Sequence, residues 1–504
     1  MMTIAIGEDR IGVAEVVAVA RRGAAVMLAP AAAGRLDQAR AVLEDWSRQD
    51  RAVYGLTRGL GNRAAQTIPL EERAGFSETA LKGRATGAGG YFETEVARAA
   101  LFVRAATLAR GGAGVRPVIV ETQLAMLAAG VTPLIPRIGS VGTSDLLLCA
   151  NLGLPIIGLG RAEHGGEVLA GAEAMARAGV ATVTLTEKEG LALCSANAVS
   201  VGYGALVAHD VHDLLALADA VLAMSYEAFA GNPSPFDARV AAARPAAGQE
   251  QAAAALRRML AGSSLFEPGV PRRVQDPISF RCATQVHGTV RAALGWAEQD
   301  LEVELNATAD NPLILAEDGE IVSTGNFHTA LLAVAFDALR LALAQLGSQS
   351  SERCARLMDP ELSGLPSRLT RHGVTRAGVG LVGMVARTLS RESRHCSAPC
   401  SNDDVTPMGV EDQAPFTLQS VRRTADQLGF LRQALACEMI VAAQALDLRP
   451  PARLPPVVAA LHGFIRRHVA FVDDDRSTTE DVEALAAAVD DGAALACVHS
   501  ALEV

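Results

Sequence analysis

The 504-residue sequence predicts a mainly α-helical protein that begins with a mixed α/β domain. Half of the residues are apolar and only 4% are aromatic, and alanine, leucine, valine and arginine are abundant, which favours long helices over sheets. Helical periodicity dominates from about residue 211 to 450, whereas residues 1–210 mix short helices with strand-like runs. We therefore expect an N-terminal mixed domain (1–210), a central helical bundle (211–450) and a C-terminal helical segment (451–504).

Local patterns predict the individual elements along the chain. The apolar runs AAVMLAP (24–30) and ATVTLT (181–186) predict strands, and GRATGAGGYF (83–92) predicts a loop or a tightly packed helix start. Residues 328–358 are apolar on more than one helical face, which predicts a helix buried in a bundle or in a subunit interface. Prolines between 450 and 456 end the bundle before a last helical segment.

Charge and hydropathy exclude several classes of partner. The formal net charge is −11 and there is no basic run, so nucleic acids and anionic membranes are poor partners. We find no stretch of about 18 uncharged apolar residues, and therefore expect no membrane span. The first residues, MMTIAIGEDR, lack the basic and apolar regions of a secretion signal.

The eight cysteines are scattered through a large chain, which suits a reducing cytoplasm. Cys396 and Cys400 follow His395 at close spacing, and this pattern could indicate a metal site. No fourth ligand with zinc-type spacing stands nearby. We therefore interpret the two cysteines as incidental thiols in a loop and expect no metal.

Eight motifs appear in a fixed order. They are VYGLTRGLG (53–61), GSVGTSDL (139–146), KEGLAL (188–193), QDPISFRC (275–282), NATADNPLI (306–314), GNFH (325–328), LMDPELSGLP (357–366) and VEDQ (410–413). Their sequence and spacing, from about Tyr54 to about Gln419, resemble those of the histidine and aromatic amino-acid ammonia-lyases. The resemblance implies an ammonia-lyase/aspartase-like fold with long antiparallel central helices, carbon–nitrogen lyase chemistry on an α-amino acid, and a homotetramer whose sites combine residues of different subunits.

The segment GSVGTSDL departs from the family at its reactive tripeptide. In the resembling enzymes an Ala-Ser-Gly tripeptide cyclises into an electrophilic methylidene-imidazolone. Here the register set by Gly158 and Gly160 indicates that the glycine is deleted, which leaves Thr143, Ser144 and Asp145. Ring closure brings the third residue's nitrogen to the first residue's carbonyl, a strained approach that glycine permits. We expect no added cofactor and an ordinary Thr143-Ser144-Asp145 peptide; autocatalytic ring closure is the alternative.

The resemblance assigns roles to further residues. Tyr54 matches the tyrosine that removes the substrate's β-proton, and a phenol serves as a base at neutral pH only when nearby positive charge stabilises its phenolate. Arg84 is a candidate for that charge. Arg281 matches the arginine that holds the substrate carboxylate through its planar fork, and Asn311 matches the amide that assists it.

The pocket residues implied by the resemblance follow the same order. Phe327 would line the pocket, and His328 beside it is interpreted as structural. Glu411 matches a position held by Glu in the histidine-specific branch and by Gln in the phenylalanine branch. A carboxylate there could hold a cationic amine or an imidazole, or Glu411 could be an ordinary surface residue.

Further departures concern the machinery that serves the electrophile. Arg84 replaces the histidine that helps select histidine as substrate, and Ser195 replaces the asparagine that contacts the electrophile. Asn197 lies two residues on, and on a helix it would point in a different direction. Ile278 replaces a second tyrosine. The substrate-handling residues are thus kept while the electrophile's support is lost.

Three functional hypotheses follow from this pattern. The first is an ammonia-lyase or aminomutase with an unusual Thr-Ser-Asp electrophile. The second is an electrophile-free lyase or cyclase that uses Tyr54 and Arg84 in acid–base roles. The third is a non-catalytic relative that binds a ligand or partners with an active paralogue. We favour lyase-like chemistry on an α-amino acid without a normal methylidene-imidazolone.

Overall fold

A computed structural model describes residues 3–401 and 410–503. Helices account for 61% of the structure and strands for 8%, which confirms a mainly α-helical protein. The chain forms two compact units, each assembled from separated segments. The first unit contains Met1–His209, Ala297–Ala335 and Pro399–Arg422, and the second contains Asp210–Trp296, Phe336–Ala398 and Arg423–Val504.

The three domains drawn along the sequence (1–210, 211–450 and 451–504) stay a prediction. Residues 1–2, 402–409 and 504 fall within those ranges but lie outside the described residues.

The described strands all belong to the first unit. They are β1 (Thr3–Ile6), β2 (Ala25–Leu28), β3 (Ala88–Tyr91), β4 (Thr132–Pro133), β5 (Pro136–Ile138), β6 (Arg161–His164), β7 (Glu167–Ala170), β8 (Leu313–Leu315) and β9 (Glu320–Val322). β1 pairs with β2 in parallel, and β3–β5, β4–β6–β7 and β8–β9 form small antiparallel sheets.

The described helices are numbered in chain order, and four of them exceed twenty residues. The full set of helices is given next with the residues that bound each one. They are α1 (Val13–Arg22), α2 (Pro30–Arg48), α3 (Leu70–Lys82), α4 (Thr94–Leu108), α5 (Pro117–Ala129), α6 (Leu146–Gly153), α7 (Gly171–Arg177), α8 (Glu189–Cys194), α9 (Ala198–Phe229), α10 (Ala238–Ala243), α11 (Gln249–Met259), α12 (Ile278–Arg281), α13 (Ala283–Asn306), α14 (Ala330–Leu357), α15 (Pro360–Ser363), α16 (Gly380–His395), α17 (Thr417–Leu448), α18 (Pro456–His468), α19 (Thr479–Asp490) and α20 (Ala493–Leu502).

An apolar cluster in the first unit joins α2, the loop after it and the β8–β9 hairpin. Its buried members are Ala39, Leu43, Trp46, Val53, Leu56, Ile314 and Ile321. Burial of such side chains stabilises the fold by removing apolar surface from water. Because Val53 and Leu56 belong to the cluster, the loop that carries Tyr54 is anchored on both sides of the tyrosine.

A buried ionic network lies in the second unit. Glu438 on α17 accepts two hydrogen bonds from Arg353 on α14, at 2.5 and 2.8 Å, and a third from the Ser225 hydroxyl of α9 at 2.7 Å. The Arg353 and Glu438 side chains are fully buried. An unpaired charge would be costly in this interior, so the network fixes how these three helices pack within the unit.

Two of the sequence-based strand and loop assignments need correction. Ala25–Leu28 confirms the strand in 24–30, but 181–186 contains no strand. There the carbonyls of Thr184 and Thr186 accept hydrogen bonds from side chains, so this backbone is satisfied without a ladder. The tract 83–92 is neither a loop throughout nor a helix start, because Ala88–Tyr91 forms β3 with two positive-φ glycines.

The helix predicted over 328–358 is confirmed as α14. By length and composition, Glu189–Phe229 and Ala330–Leu357 are apolar enough to cross a membrane, which corrects the expectation that no such stretch exists. However, 94% and 67% of their most apolar windows are buried inside the protein. Their apolar character is therefore used mainly for packing within the chain.

Candidate active site

Tyr54 lies in the anchored loop between α2 and α3. Its phenolic oxygen accepts a hydrogen bond from the Gly61 amide at 2.9 Å, which closes the loop on itself. Gly61 has a φ of +58°, and a Cβ placed there would lie 3.9 Å from Oε1 of Glu411. The structure thus places two predicted site residues, Tyr54 and Glu411, close to the same glycine.

The Thr143–Asp145 segment forms a tight turn before α6. Ser144 is buried with a φ of +67°, and Gly142 and Ser144 form a β-bridge with each other. The Asp145 amide donates to the Ala196 carbonyl at 2.7 Å. Positive φ is uncommon for residues other than glycine, so the turn is held by its surroundings.

Hydrogen bonds to the Asp145 carboxylate anchor this turn. The carboxylate is fully buried and accepts hydrogen bonds from the Ser140 hydroxyl at 2.7 Å, and from the amide and hydroxyl of Ser200 at 2.6 and 2.7 Å. Burial raises the pKa of Asp145, and the hydrogen bonds from Ser200 and Ser140 oppose that rise. Both the backbone nitrogen and the side chain of Asp145 are therefore fixed in place.

Residues 195–197 form a break between α8 and α9. The argument that Asn197 would point away from the site assumed a continuous helix, and it is wrong because α8 ends at Cys194 and α9 begins at Ala198. Ser195 is buried and its amide donates to the Leu191 carbonyl at 2.8 Å. Serine and asparagine have low helix propensity, and this was the available sequence signal for a break.

The break contacts the GNFH segment, which also contacts the turn. The Asn197 side chain donates from Nδ2 to the Phe327 carbonyl at 2.8 Å. Thr143 forms an antiparallel β-bridge with His328. Phe327 and His328 are half-buried. The turn, the helix break and the GNFH segment therefore meet in the first unit.

Arg84 lies beside the end of α8. Its guanidinium donates to the Ala80 carbonyl at 3.0 Å. Burial raises the pKa of the Cys194 thiol to about 11, and the positive charge of Arg84 opposes that rise. Within the described residues no hydrogen bond joins Arg84 to Tyr54. The predicted stabilisation of the Tyr54 phenolate by Arg84 therefore does not depend on a direct hydrogen bond.

Asn311 is held by the loop that follows β9. Its Oδ1 accepts a hydrogen bond from the Thr324 amide at 3.0 Å. The preceding residue, Asp310, forms a buried ion pair with Arg104 at 2.8 Å. Lys188, also buried, donates to the Ala113 carbonyl at 2.8 Å. Arg104 also donates to the Ala192 carbonyl, and it therefore connects the KEGLAL and NATADNPLI motifs.

Arg281 belongs to the second unit, where it ends the short helix α12. Its Nη1 donates to Oε1 of Gln275 at 2.9 Å, and its Nε is buried without a partner in the described part of the chain. Ile278 begins the same helix and is exposed. The other nine predicted site residues lie in the first unit: Tyr54, Arg84, Thr143, Ser144, Asp145, Ser195, Asn311, Phe327 and Glu411.

The described ranges, 3–401 and 410–503, contain no group of three or more His, Cys, Asp and Glu side chains that could hold a metal ion. Cys396 is half-buried at the end of α16, and burial raises the pKa of its thiol. Cys400 is buried. All eight cysteines lie in the described ranges, and none of them forms a disulfide there.

The chain is similar to known lyases over most of its length. A family model described as aromatic amino acid lyase matches residues 11–467. A histidine ammonia-lyase of Symbiobacterium thermophilum is 40% identical over 488 residues, which cover 96% of each chain.

Solved structures give the same picture. The ergothioneine-degrading enzyme ergothionase of Treponema denticola, in complex with desmethyl-ergothioneine sulfonic acid, superimposes with a TM-score of 0.95 at 28% identity, covering 98% of this chain and all of the other. Tyrosine aminomutase of Streptomyces globisporus superimposes with a TM-score of 0.93 at 29% identity, covering 100% and 99%. These similarities extend over the whole site rather than over one motif.

Proposed function

The chain belongs to the aromatic amino acid lyase family, and on that premise we propose that it eliminates the α-nitrogen of an amino acid without a normal methylidene-imidazolone group. Relatives named histidine ammonia-lyase make it a carbon–nitrogen lyase of the ammonia-lyase type. The observation that carries the finer proposal is the anchoring of Asp145, whose amide and carboxylate are both committed to hydrogen bonds.

Asp145 is a poor fit to the family's ring closure. Ring closure would require the Asp145 amide nitrogen to give up its hydrogen bond to the Ala196 carbonyl and to bond to the carbonyl carbon of Thr143. The carboxylate, held by Ser140 and Ser200, resists that movement. The side chains that support the family's electrophile are also changed, since Ser195 and Ile278 stand at those positions. The protein is therefore expected to act with its own side chains alone.

The proposed reaction is a direct β-elimination. Tyr54, as phenolate, takes the substrate's β-proton, and the electrons of that C–H bond form the Cα=Cβ double bond. The C–N bond breaks, and its electrons leave with the nitrogen, which departs as neutral ammonia from an ammonium group. The products are an α,β-unsaturated acid, ammonia and the protonated tyrosine. Gly61 holds the phenolic oxygen at 2.9 Å in the resting loop.

Charge would position the substrate at both ends. Arg281 is proposed to hold the carboxylate through its two-donor fork. Asn311 is proposed to assist, because its Oδ1 is held by Thr324 while its amide group remains able to donate. Glu411, next to Gly61, is proposed to face a cationic side chain such as an imidazolium, in keeping with the histidine ammonia-lyase relatives.

A second candidate substrate is a betaine, in which the α-nitrogen carries three methyl groups. Such a nitrogen is permanently cationic and leaves as a neutral tertiary amine, so it needs no electrophile to activate it. The likeness to an ergothioneine-degrading enzyme over nearly the full chain favours testing this class. The α-carboxylate and the β-proton would be handled as in the amino acid.

A homotetramer in the cytoplasm is proposed as the working state. On α14, Leu331, Val334 and Leu341 are exposed at helical spacing along one face, and exposed apolar stripes commonly mark subunit interfaces. In the proposed tetramer, partner copies contribute residues to each site. A single-chain mass in light scattering at micromolar concentration would contradict shared sites. The eight cysteines, none of which forms a disulfide within the described residues, are consistent with a reducing compartment.

The function is tested by incubating the purified protein with L-histidine, L-phenylalanine, L-tyrosine, histidine betaine and ergothioneine. Proton NMR then follows the alkene and the released ammonia or trimethylamine. We expect one substrate to give both products and Tyr54→Phe to abolish them. Binding without turnover would instead support a non-catalytic relative, a β-amino acid product an aminomutase, and a ring-closed product a cyclase.

A further inference from the structure

Around the turn at residues 140–144 and the neighbouring GNFH segment, three residues carry buried polar atoms that have no hydrogen-bond partner among the described residues. The atoms are Oδ1 of Asn197, Nε2 of His328 and Oε1 of Gln419. Each belongs to a residue that contacts the turn or its neighbour: Asn197 bonds the Phe327 carbonyl, the His328 backbone bridges Thr143, and Gln419 bonds the Ser140 carbonyl at 2.8 Å. We call these three atoms the acceptor cluster.

The orientation of the two amides follows from their partners. Nδ2 of Asn197 and Nε2 of Gln419 both face backbone carbonyls, which only accept hydrogen bonds. Their oxygen ends are therefore the unpaired ends, and neither amide can be flipped without placing oxygen against oxygen. His328 can present Nε2 as an acceptor in the tautomer that carries its proton on Nδ1.

Unpaired acceptors are unusual inside a protein. Most buried polar atoms have a hydrogen-bond partner, and those that do not usually mark a functional role or a bound group. Asn197 is only 4% exposed, so solvent does not satisfy its oxygen. Three such acceptors on residues that contact this turn or its neighbouring segment favour a group that carries positive charge.

We propose that the acceptor cluster holds the cationic α-nitrogen of the substrate, with Asn197 in a role that Ser195 no longer fills. This inference rests on the proposed function and names the part of the site that receives the leaving group. Oxygen and imidazole lone pairs stabilise an ammonium or a trimethylammonium group up to the moment its C–N bond breaks. Asn197, His328 and Gln419 are thus specificity-determining residues for the nitrogen.

Calorimetric titration tests the cluster with matched pairs of ligands. The pairs are L-histidine with 3-(imidazol-4-yl)propionate, L-phenylalanine with 3-phenylpropionate and L-tyrosine with 3-(4-hydroxyphenyl)propionate; histidine betaine is compared with the imidazole acid. The two members of a pair differ only in the α-nitrogen. We expect the protein to prefer the nitrogen-bearing member of at least one pair by about 10- to 100-fold.

Asn197→Ala and Gln419→Ala should each reduce that preference by about tenfold and leave the affinity for the acid lacking nitrogen unchanged. Asn151→Ala is the matched control, because Asn151 also donates to a backbone carbonyl, that of Leu147 at 2.9 Å. It should leave both affinities as they are. If Asn197→Ala does not fold, Gln419→Ala carries the test.

The outcomes separate this inference from the proposed function. Equal weakening of both members of a pair would show that the cluster is structural and would overturn the inference. Equal affinity of the parent protein for both members of a pair would also overturn the inference. Because both members would still bind through their carboxylates, the proposed function would stand. If the parent binds no member of any pair, the inference fails, and the proposed function fails with it when ergothioneine is not bound or turned over either.

Discussion

Inserting a glycine between Ser144 and Asp145 tests our prediction that residues 143–145 remain an ordinary peptide because the ring-closing glycine is missing. In the parent protein the ring-closing nitrogen would have to come from Asp145. In the insertion variant the new glycine supplies that nitrogen, and Asp145 can keep its hydrogen bonds. We expect no loss of water from the parent peptide and loss of two waters from part of the variant.

The size of the barrier in the parent follows from the contacts of Asp145. Its amide bonds Ala196, and its carboxylate accepts two bonds from Ser200 and one from Ser140. At a net value of about 1 kcal/mol each, releasing the four bonds costs about 4 kcal/mol. That lowers the population of a ring-competent conformer by roughly a thousandfold, before any strain from the Asp145 side chain is added.

Peptide mass mapping across residues 138–161 is the assay. Adding Ser144→Ala to the insertion variant removes the hydroxyl that leaves as one of the two waters, so this control should lose at most the single water of ring closure. Loss of two waters from the parent fragment would refute the argument from Asp145. An insertion variant that stays uncyclised would show that the missing glycine is not the sole obstacle. The changed residues Ser195 and Ile278 would then be the next candidates for preventing ring closure.

Three further predictions follow from single residues. Arg281→Lys should weaken amino-acid binding by about 10- to 100-fold, because lysine keeps the charge but loses the planar fork; calorimetry showing parent-like affinity would contradict the carboxylate role. Tyr54→Phe should leave binding nearly unchanged while turnover collapses, and a retained kcat would remove Tyr54 as the base. Burial lowers the pKa of Lys188 from 10.5 to about 8, so between these values the unfolded chain holds a proton that the folded chain lacks. Stability should therefore rise with pH across this window, by up to about 3 kcal/mol. Lys188→Met should abolish the rise in urea titrations at several pH values, and an unchanged slope would refute it.

The sequence by itself was enough for the family and for much of the fold. Helical periodicity over 328–358 predicted α14, and the apolar run at 24–30 predicted β2. These features are local, because amphipathicity and propensity act over a few residues. The ordered motifs also predicted the family and singled out the missing glycine. Whether the predicted residues have their assigned roles stays a prediction.

Tertiary structure alone decided how the turn at 140–145 is held. Asp145 is fixed by Ser200, 55 residues away. Asn197 reaches Phe327 across 130 residues, and Gln419 reaches Ser140 across 279. No local pattern reports such contacts, since they arise when separate segments pack into one unit. The break at 195–197 is also decided by packing between distant segments. The helical pattern is interrupted there, and Asn197 bonds the GNFH segment.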